Sequence, residues 1–228
     1  MRIAEIYRSF QGEGLLTGTE AVFVRTSGCN LRCWFCDTPY TSWSPEGEDF
    51  SVDEVLKRVA AHDVPYVVIT GGEPLLWRDL VPLTAELRQS GRHVTIETAG
   101  TRYEPVACDM MSISPKLASS TPPTETAGHW HTRHEATRHA PDVIRRLTSE
   151  YAYQLKFVID QPGDCVEVQR WLKSFPQVDR RQVLLMPQGT TRDELAERAA
   201  WLEPYCHEHE LTFCPRRHIE WFGLVRGR

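Results

Sequence analysis

The stretch GCNLRCWFC, residues 28–36, sets Cys29, Cys33 and Cys36 in a Cys-x3-Cys-x2-Cys array, with aromatic Phe35 just before the third cysteine. A structural zinc ion takes four protein ligands, and a fully ligated iron–sulfur cube takes four cysteines. Three thiolates are one ligand too few for either site. The array therefore predicts a 4Fe-4S cluster in which one iron is left open to a ligand that the protein does not supply.

A zinc site is the alternative interpretation of the same array, because soft thiolates favour zinc as well as iron–sulfur clusters. Such a site, in a binding module without catalytic activity, would need a distant fourth ligand: a histidine or one of Cys108, Cys165, Cys206 and Cys214. None of those four cysteines belongs to a close pair that would supply a second half-site. The spacing therefore favours the cluster, and metal content distinguishes the two interpretations.

Length and composition indicate a single domain, residues 1–228, in a reducing compartment. A chain of 228 residues is long enough to bury a core without disulfides, and its seven cysteines are an odd number. No basic segment leads into an apolar run at the N-terminus, and no apolar run reaches membrane-spanning length. The net charge of −5 argues against a broad nucleic-acid surface. We therefore expect a cytoplasmic protein that binds neither membrane nor nucleic acid.

Short apolar runs alternate with longer amphipathic runs along most of the chain. The predicted strands are YVVIT ending at Thr70, HVTIE from His93, DMMSIS ending at Ser114, LKFVI from Leu155, QVLLM from Gln182 and LTF from Leu211. Capping boxes at Ser51 and Thr191 begin two of the predicted helices. This alternation predicts a parallel sheet, with too few units for a complete eightfold barrel. The predicted fold class is α/β, an open, partial (β/α) barrel with functional groups at the carboxyl ends of its strands.

Residues 118–140 interrupt this pattern with ASSTPPTETAGHWHTRHEATRHA, a run rich in Thr, Pro and His. A connection of this length in a compact domain is typical of a lid or a disordered segment. We expect a lid loop with at most a short helix, in which Trp130 forms the apolar face over the substrate. Rather than binding a second metal, its four histidines are expected to face solvent: His129, His131, His134 and His139.

The segment TGGEP, residues 70–74, follows the YVVIT strand at the rim of the predicted barrel. Gly71 and Gly72 allow a backbone to approach a ligand closely, and Glu73 offers a carboxylate. Two further segments also end predicted strands: SPK at residues 114–116 and MPQG at residues 186–189. In open α/β sheets, functional groups gather at these strand ends.

In this order, the cysteine array and the GGE segment resemble the signature of the radical S-adenosylmethionine enzymes. Further similarity spans nearly the whole chain: FQGEG (10–14), CDT (36–38), SPK, MPQG and RHIEWFG (217–223). Together these motifs resemble the 7-carboxy-7-deazaguanine synthase family. The resemblance implies a carbon–nitrogen lyase that uses a 4Fe-4S cluster, S-adenosylmethionine and Mg²⁺. By radical chemistry, such an enzyme contracts the ring of 6-carboxy-5,6,7,8-tetrahydropterin with loss of ammonia, in the biosynthesis of queuosine, a transfer-RNA modification, and of other deazapurines.

The resemblance also implies the roles of individual residues. Cofactor contacts are implied for Phe35, Cys36, Asp37, Gly71, Gly72, Glu73, Ser114, Pro115, Lys116, Pro187, Gln188 and Gly189. Substrate contacts are implied for Phe10, Gln11, Gly12, Glu13, Arg25, Thr70 and His218. A planar guanidinium suits a carboxylate, so Arg25 is expected to bind the one on the pterin. Thr38 is expected to give a hydroxyl ligand to Mg²⁺, which takes few protein ligands.

Partners follow from the same resemblance: an electron donor such as a flavodoxin or a ferredoxin, and a second copy of the chain in a homodimer. A glycyl-radical-enzyme activase is the alternative enzyme, because it can share the cysteine array. It would not need QGEG, CDT or His218. One departure from the family pattern is the LVRGR that follows Gly223. Some family members bind substrate through their C-terminal carboxylate, and we do not assign that contact to Arg228.

Overall fold

The computed structural model describes residues 1–227, which form one sheet of nine strands with helices around it. The strands are Arg2–Phe10 (β1), Glu20–Thr26 (β2), Glu48–Asp49 (β3), Tyr66–Gly71 (β4), His93–Thr98 (β5), Met110–Ile113 (β6), Tyr153–Ile159 (β7), Val183–Pro187 (β8) and Thr212–Phe213 (β9). The α-helices are Pro39–Ser42 (α1), Val52–Ala60 (α2), Leu80–Gln89 (α3), Thr124–Ala127 (α4), His129–Arg138 (α5), Pro141–Glu150 (α6), Pro162–Lys173 (α7), Arg192–Glu208 (α8) and Arg217–Phe222 (α9). Arg228, the last residue of the predicted domain, lies outside the described residues. No helix within residues 1–227 is both long and apolar enough to cross a membrane.

The strands lie in the order β3-β1-β2-β4-β5-β6-β7-β8-β9. From β2 through β4 to β9 every neighbouring pair is parallel, whereas β1 is antiparallel to both β2 and β3. The short strands β3 and β9 form opposite edges, so the sheet is open. The parallel part confirms the predicted sheet, and the antiparallel β1 extends it on the side of the cysteine array.

Helices α2 and α8 begin at the two predicted capping boxes. The Ser51 hydroxyl accepts from the Glu54 amide at 3.3 Å, and the Glu54 carboxylate accepts from the Ser51 amide at 2.8 Å. Thr191 and Glu194 make the same reciprocal pair, at 3.3 and 3.0 Å. Because these bonds satisfy amides that a helix start leaves without partners, local sequence alone fixes where both helices begin.

Apolar and polar side chains alternate along β7 and so point to opposite faces of the sheet. In β7, Leu155 and Phe157 are fully buried in the main hydrophobic core, which the helices cover. Gln154 and Lys156 alternate with them and point to the opposite face, where Lys156 lines a cavity. The same alternation in β5 directs Glu97 into that cavity. The inner face of the sheet thus supplies functional groups, beside apolar side chains such as Val158 and Met186 that also line the cavity.

The prediction of a loop over residues 118–140 is wrong. The segment contains helices α4 and α5, and none of its residues lines the cavity. Instead, it packs against the cysteine-containing loop: the guanidinium of Arg32 lies over the Trp130 ring, 3.7 Å from its centroid. Trp130 therefore contacts the outside of the cysteine loop and does not form the apolar face of a lid.

The expectation that all four histidines face solvent is wrong for His134, which is fully buried. Its Nδ1 accepts a hydrogen bond from the Arg32 amide at 3.1 Å, so the ring proton is on Nε2, which donates to the Ser120 hydroxyl at 3.0 Å. Burial lowers the pKa of His134 to about 4, which keeps the ring neutral and able to accept. The ring connects α5 to the backbone beside Cys33, where no signal from the sequence pattern marked it.

We expect the change His134→Leu to destabilise the fold by about 1 to 3 kcal/mol, because it leaves the buried Arg32 amide without an acceptor. Denaturant unfolding under anaerobic conditions measures this loss. The matched control is His129→Leu in the same helix, where the side chain is exposed, and its effect should stay within about 0.5 kcal/mol. Equal stability of the two variants would contradict a supporting role for His134.

Candidate active site

A cavity of about 480 Å³ opens at the carboxyl ends of the parallel strands. It brings together most of the residues that the sequence analysis singled out: Phe10, Gln11, Gly12, Glu13, Arg25, Cys29, Cys33, Phe35, Cys36, Asp37, Thr38, Thr70, Gly71, Gly72, Ser114, Lys116, Gln188 and His218. Four of them do not line it: Glu73, Pro115, Pro187 and Gly189. Residues separated by up to two hundred positions therefore share one chamber.

Glu73 has a different place from the one expected, because its carboxylate is fully buried beside the cavity. It accepts hydrogen bonds from the Thr98 hydroxyl at 2.7 Å and from the amides of Ala99 and Leu75 at 2.8 and 3.1 Å. Burial raises the pKa of Glu73. These bonds join the chain after β4 to the end of β5, so the side chain orders the rim of the cavity.

The three cysteines of the array all line the cavity. Within residues 1–227, their sulfur atoms do not form a group in which every pair lies within 4.8 Å. A single tetrahedral zinc with bonds of about 2.3 Å would hold its sulfurs about 3.8 Å apart. At least one pair of these sulfurs therefore lies farther apart than two ligands of one zinc ion do.

Burial of the cysteines also suits a metal cluster. It raises the pKa of Cys29 and of Cys33 to about 12, so both are neutral thiols until a metal displaces their protons. Hydrogen-bond donors already surround the sulfurs: the Leu31 amide donates to the Cys29 sulfur at 3.4 Å, and the Ser42 hydroxyl lies 3.2 Å from the Cys36 sulfur. Such outer contacts orient ligands and tune the potential of a cluster.

The two glycines after β4 are required because the backbone there runs against the start of the cysteine loop. A Cβ on Gly71, whose φ is +135°, would lie 2.1 Å from the Thr26 carbonyl oxygen. On Gly72 it would lie 2.2 Å from the carbonyl oxygen of Gly28. The two strand ends approach so closely that only glycine fits, which leaves backbone groups exposed to the cavity beside the cysteines.

The loop that follows β1 enters the inner face of the sheet. A Cβ on Gly12 would lie 2.5 Å from His218, and one on Gly14 would lie 2.3 Å from the Gln154 amide. The Leu15 amide donates to the Gln154 side chain at 2.8 Å. We call residues 11–14 the first loop, and its glycines allow it to pack inside the barrel where a larger residue would clash.

Glu13 in the first loop is paired with two cations that the sequence analysis missed. Its carboxylate pairs with Lys156 of β7 and with Arg216, whose Nε lies 3.1 Å away. Burial alone would raise the pKa of Glu13, but the two cations hold it well below its usual range. His218 lies 3.7 Å from the same carboxylate, and burial lowers the pKa of that histidine.

Glu13, Asp37 and His218 lie close enough together to hold a metal ion. Arg216 pairs with both carboxylates, however, and Lys156 pairs with Glu13. Two protein cations therefore already neutralise the two acids. We assign this group to the positioning of side chains and not to metal binding.

Glu97 is a further functional group that the sequence analysis missed. Gln11 Nε2 donates to it at 3.1 Å, the Thr70 hydroxyl donates at 2.8 Å, and Lys156 Nζ lies 3.8 Å away. Gln11 and Thr70, which are both predicted to contact substrate, therefore both bind Glu97. Its one signal in the sequence was its position near the end of the HVTIE strand, where an acidic residue follows an apolar run.

Arg25 lies at the other side of the cavity, where side chains of the protein already bind its guanidinium. Its Nε donates to Glu5 at 2.6 Å and its Nη2 donates to the Tyr7 hydroxyl at 2.7 Å. Tyr40 donates to the same Glu5 carboxylate at 2.8 Å. Burial would lower the pKa of Arg25, but these neighbours raise it, so the guanidinium is charged at all accessible pH values. With a side chain that is 15% exposed, it still faces the cavity.

The C-terminal segment, residues 223–227, forms part of the cavity wall. Arg226 holds it there: its Nη1 lies 2.8 Å from Glu46, its Nε lies 3.4 Å from Glu5, and its guanidinium stands 4.2 Å from the centre of the Tyr40 ring. The extension that departs from the family pattern therefore covers the side of the cavity that holds Arg25.

Thr38 lines the cavity directly after the last cysteine. Its hydroxyl lies 3.9 Å from the Cys36 sulfur and 3.3 Å from the Thr41 hydroxyl. Although Thr38 precedes helix α1, its side chain makes no capping bond to that helix. The oxygen therefore accepts from Thr41 and lies at the cavity wall next to the cysteine loop.

Comparison with known proteins agrees with this geometry. Residues 23–116 match the model of the Radical SAM superfamily. The chain is 45% identical to the 7-carboxy-7-deazaguanine synthase of Rhodopirellula baltica, covering 99% of this chain and 88% of that protein. It is 44% identical to the enzyme of the same name from Halobacterium salinarum, covering 95% and 88%.

A solved structure supports the same fold. The crystal structure of QueE from Escherichia coli superposes with a TM-score of 0.71 at 23% identity, covering 95% of this chain and 94% of that one. The match confirms the predicted partial barrel of the radical S-adenosylmethionine type. From sequence and fold together, the chain belongs to the 7-carboxy-7-deazaguanine synthase family within the radical SAM superfamily.

Proposed function

We propose that this chain converts 6-carboxy-5,6,7,8-tetrahydropterin into 7-carboxy-7-deazaguanine, with loss of ammonia, as its relatives' name indicates. One observation carries the proposal. The cavity that holds the three cysteines also holds the Arg25 guanidinium on one side and the partly buried Glu97 carboxylate on the other. A substrate with an anionic carboxylate at one end and a row of hydrogen-bond donors at the other matches both groups.

The family uses a 4Fe-4S cluster and S-adenosylmethionine, which when bound supply the radical chemistry that removes a hydrogen atom from the substrate. Cys29, Cys33 and Cys36 would hold the cluster, and the backbone of Gly71 and Gly72 would contact S-adenosylmethionine. Lys116 also faces the cavity, where its Nζ donates to the Ser114 hydroxyl at 2.7 Å. Among the described residues it has no carboxylate partner, which suits it to the carboxylate of S-adenosylmethionine.

Glu97 is suited to the pyrimidine end of the pterin. That ring edge carries N–H donors, and a carboxylate is the acceptor that pairs with two of them at once. Gln11 and Thr70 each donate to Glu97 and so fix its orientation before substrate arrives. The negatively charged Glu97 would repel the carboxylate of the substrate. It therefore favours the orientation in which the amino-pyrimidine edge of the pterin faces Glu97.

Arg25 is suited to the carboxylate end. It stands on β2, and Glu97 stands on β5, with β4 between them. Two strand spacings separate these residues by about 9 to 10 Å, enough for a two-ring heterocycle to lie across β4. Phe10 and His218 also line the cavity and would contact the ring. The substrate would thus lie across the strand ends, with its carboxylate toward Arg25.

Magnesium would bind between Thr38 and the substrate carboxylate. The Thr38 hydroxyl is a hard oxygen ligand without a capping role, and Mg²⁺ completes its octahedron with water and substrate oxygens. Such an ion would share the carboxylate with Arg25 and fix the orientation of the ring.

Partners and location are also proposed. An electron donor such as a flavodoxin or a ferredoxin would approach the cysteine loop, and exposed Trp34 beside Cys33 supports access from that side. A homodimer is supported by the exposed aromatic rings of Phe10 and Trp221, which contact each other edge to face. The free cysteines support a reducing cytoplasm.

Anaerobic turnover tests the proposed function. Protein reconstituted with iron and sulfide is incubated with reductant, S-adenosylmethionine, Mg²⁺ and the carboxylated pterin, and the products are read by mass spectrometry. We expect 7-carboxy-7-deazaguanine and 5′-deoxyadenosine from the parent, and neither 7-carboxy-7-deazaguanine nor cluster absorbance from Cys29→Ser. Cofactor cleavage without any deazaguanine product would instead favour the glycyl-radical activase. A single zinc per chain without sulfide would favour the binding module.

Replacing Arg25 by Gln should lower kcat/KM for the carboxylated pterin by at least about 30-fold, because a buried charge partner is lost. Binding of S-adenosylmethionine should be unchanged. The matched control is Arg8→Gln, because Arg8 makes its own ion pair on the exposed side of β1. Tetrahydropterin without the carboxylate provides a second comparison, since parent and variant should bind it equally. A variant that loses affinity for both pterins alike would contradict carboxylate recognition by Arg25.

Replacing Thr38 by Val keeps the shape of the side chain and removes its oxygen. We expect this variant to keep its cluster and to lose most of its stimulation by Mg²⁺, because a methyl group does not bind a hard cation. Thr38→Ser should retain the stimulation. Activity is measured across a Mg²⁺ titration, with iron content measured in parallel. If Thr38→Val responds to Mg²⁺ as the parent does, the ion is bound elsewhere.

A further inference from the structure

Arg216 lies where three segments of the site meet. Its Nε lies 3.1 Å from Glu13 of the first loop, its Nη1 donates to the Gly189 carbonyl at 2.7 Å, and its Nη2 pairs with Asp37. The side chain is only 6% exposed. Every nitrogen of the guanidinium therefore has a separate partner, and a planar fork fixes the relative positions of all three.

The partners of Arg216 belong to different parts of the proposed chemistry. Asp37 follows the last cysteine and so belongs to the cluster side of the cavity. Glu13 belongs to the first loop, on the substrate side. Gly189 follows the end of β8, beside Gln188, which faces the cavity. Of the described residues, Arg216 is the one that makes an ion pair with both Glu13 and Asp37.

The two carboxylates depend on Arg216 to different degrees. Glu13 keeps Lys156 as a second cation, but Asp37 has no other ion pair within residues 1–227. Loss of the guanidinium would remove the ion pair of Asp37 and, with it, the link between the cysteine loop and Glu13 of the first loop.

We propose that Arg216 is a positioning residue that couples the first loop to the cysteine loop, so that productive turnover depends on it more strongly than cofactor cleavage does. The coupling of the loops rests on the observed contacts, and its consequence for turnover rests on the proposed function. A misplacement of about 1 Å between reacting groups can lower a rate by about a hundredfold. Cleavage of S-adenosylmethionine needs the correct geometry on the cysteine side of the cavity alone. Product formation needs the cysteine side and the substrate side in the correct relative positions.

Hydrogen exchange tests the coupling without reference to any substrate. The anaerobically reconstituted parent is compared with Arg216→Gln and with the control Arg217→Gln, whose exposed side chain pairs with Glu220 on the surface. In Arg216→Gln we expect the amides of residues 36–38 to lose the most protection and those of residues 11–14 to lose less, because Lys156 still pairs with Glu13. Both segments should stay unchanged in the control. Loss of protection in one segment alone would overturn the coupling.

The ratio of 5′-deoxyadenosine to deazaguanine product tests the consequence for turnover. We expect the ratio to rise about tenfold or more in Arg216→Gln and to equal that of the parent in Arg217→Gln. Iron content and the KM for S-adenosylmethionine should stay near the parental values. A parental ratio in a variant with a full cluster would overturn the proposal, because a purely structural role lowers both products equally.

Arg216→Lys keeps the inference testable if Arg216→Gln does not fold. Lysine restores the charge but not the planar fork, because all three of its donors radiate from one nitrogen and do not reproduce the separate contacts to Glu13, Gly189 and Asp37. We expect Arg216→Lys to hold its cluster and still to raise the ratio of 5′-deoxyadenosine to product. If the parent makes no deazaguanine, the proposed function fails, while the hydrogen-exchange comparison still decides whether Arg216 couples the two loops.

Discussion

The buried ion pairs of Glu13 with Lys156 and Arg216 are the interaction on which the site depends. A carboxylate taken out of water costs several kcal/mol unless cations and hydrogen bonds replace the water. Glu13 finds those cations 143 and 203 residues further along the chain. The pairing therefore requires the first loop, the sheet and the C-terminal segment to be folded together. A site with this charge arrangement exists only in the complete domain.

On the other side of the cavity the charge removed from water is a cation, Arg25, and other side chains of the protein stabilise it. Arg25 is held by Glu5 and Tyr7 before any substrate is present, and Arg226 from the C-terminal segment pairs with the same Glu5. A substrate carboxylate would therefore meet a guanidinium whose orientation is already fixed. Such preorganisation avoids reorganisation of the protein when the ligand binds.

What the sequence predicted correctly depends on short-range signals. The cysteine array, the capping boxes at Ser51 and Thr191, and the glycines after β4 are each encoded within a few residues, and the structure bears out their local geometry. Because parallel strands end at one edge, such signals also predicted which strand ends would meet. The antiparallel β1 was not predicted, since Arg2, Glu5 and Arg8 interrupt any period-two pattern of apolar residues in it.

What the sequence did not predict depends on contacts between distant residues. Lys156 and Glu97 look like breaks in apolar strands, and only the closure of the sheet shows that they face one chamber. His134 looked like one of four solvent-facing histidines, yet it alone is buried, because α5 packs against the cysteine loop. Local motifs thus specify the radical chemistry of this family, whereas long-range charge pairs arrange the chamber in which a particular substrate is held. A relative with the same cysteine array and different pairs would therefore be expected to hold a different substrate.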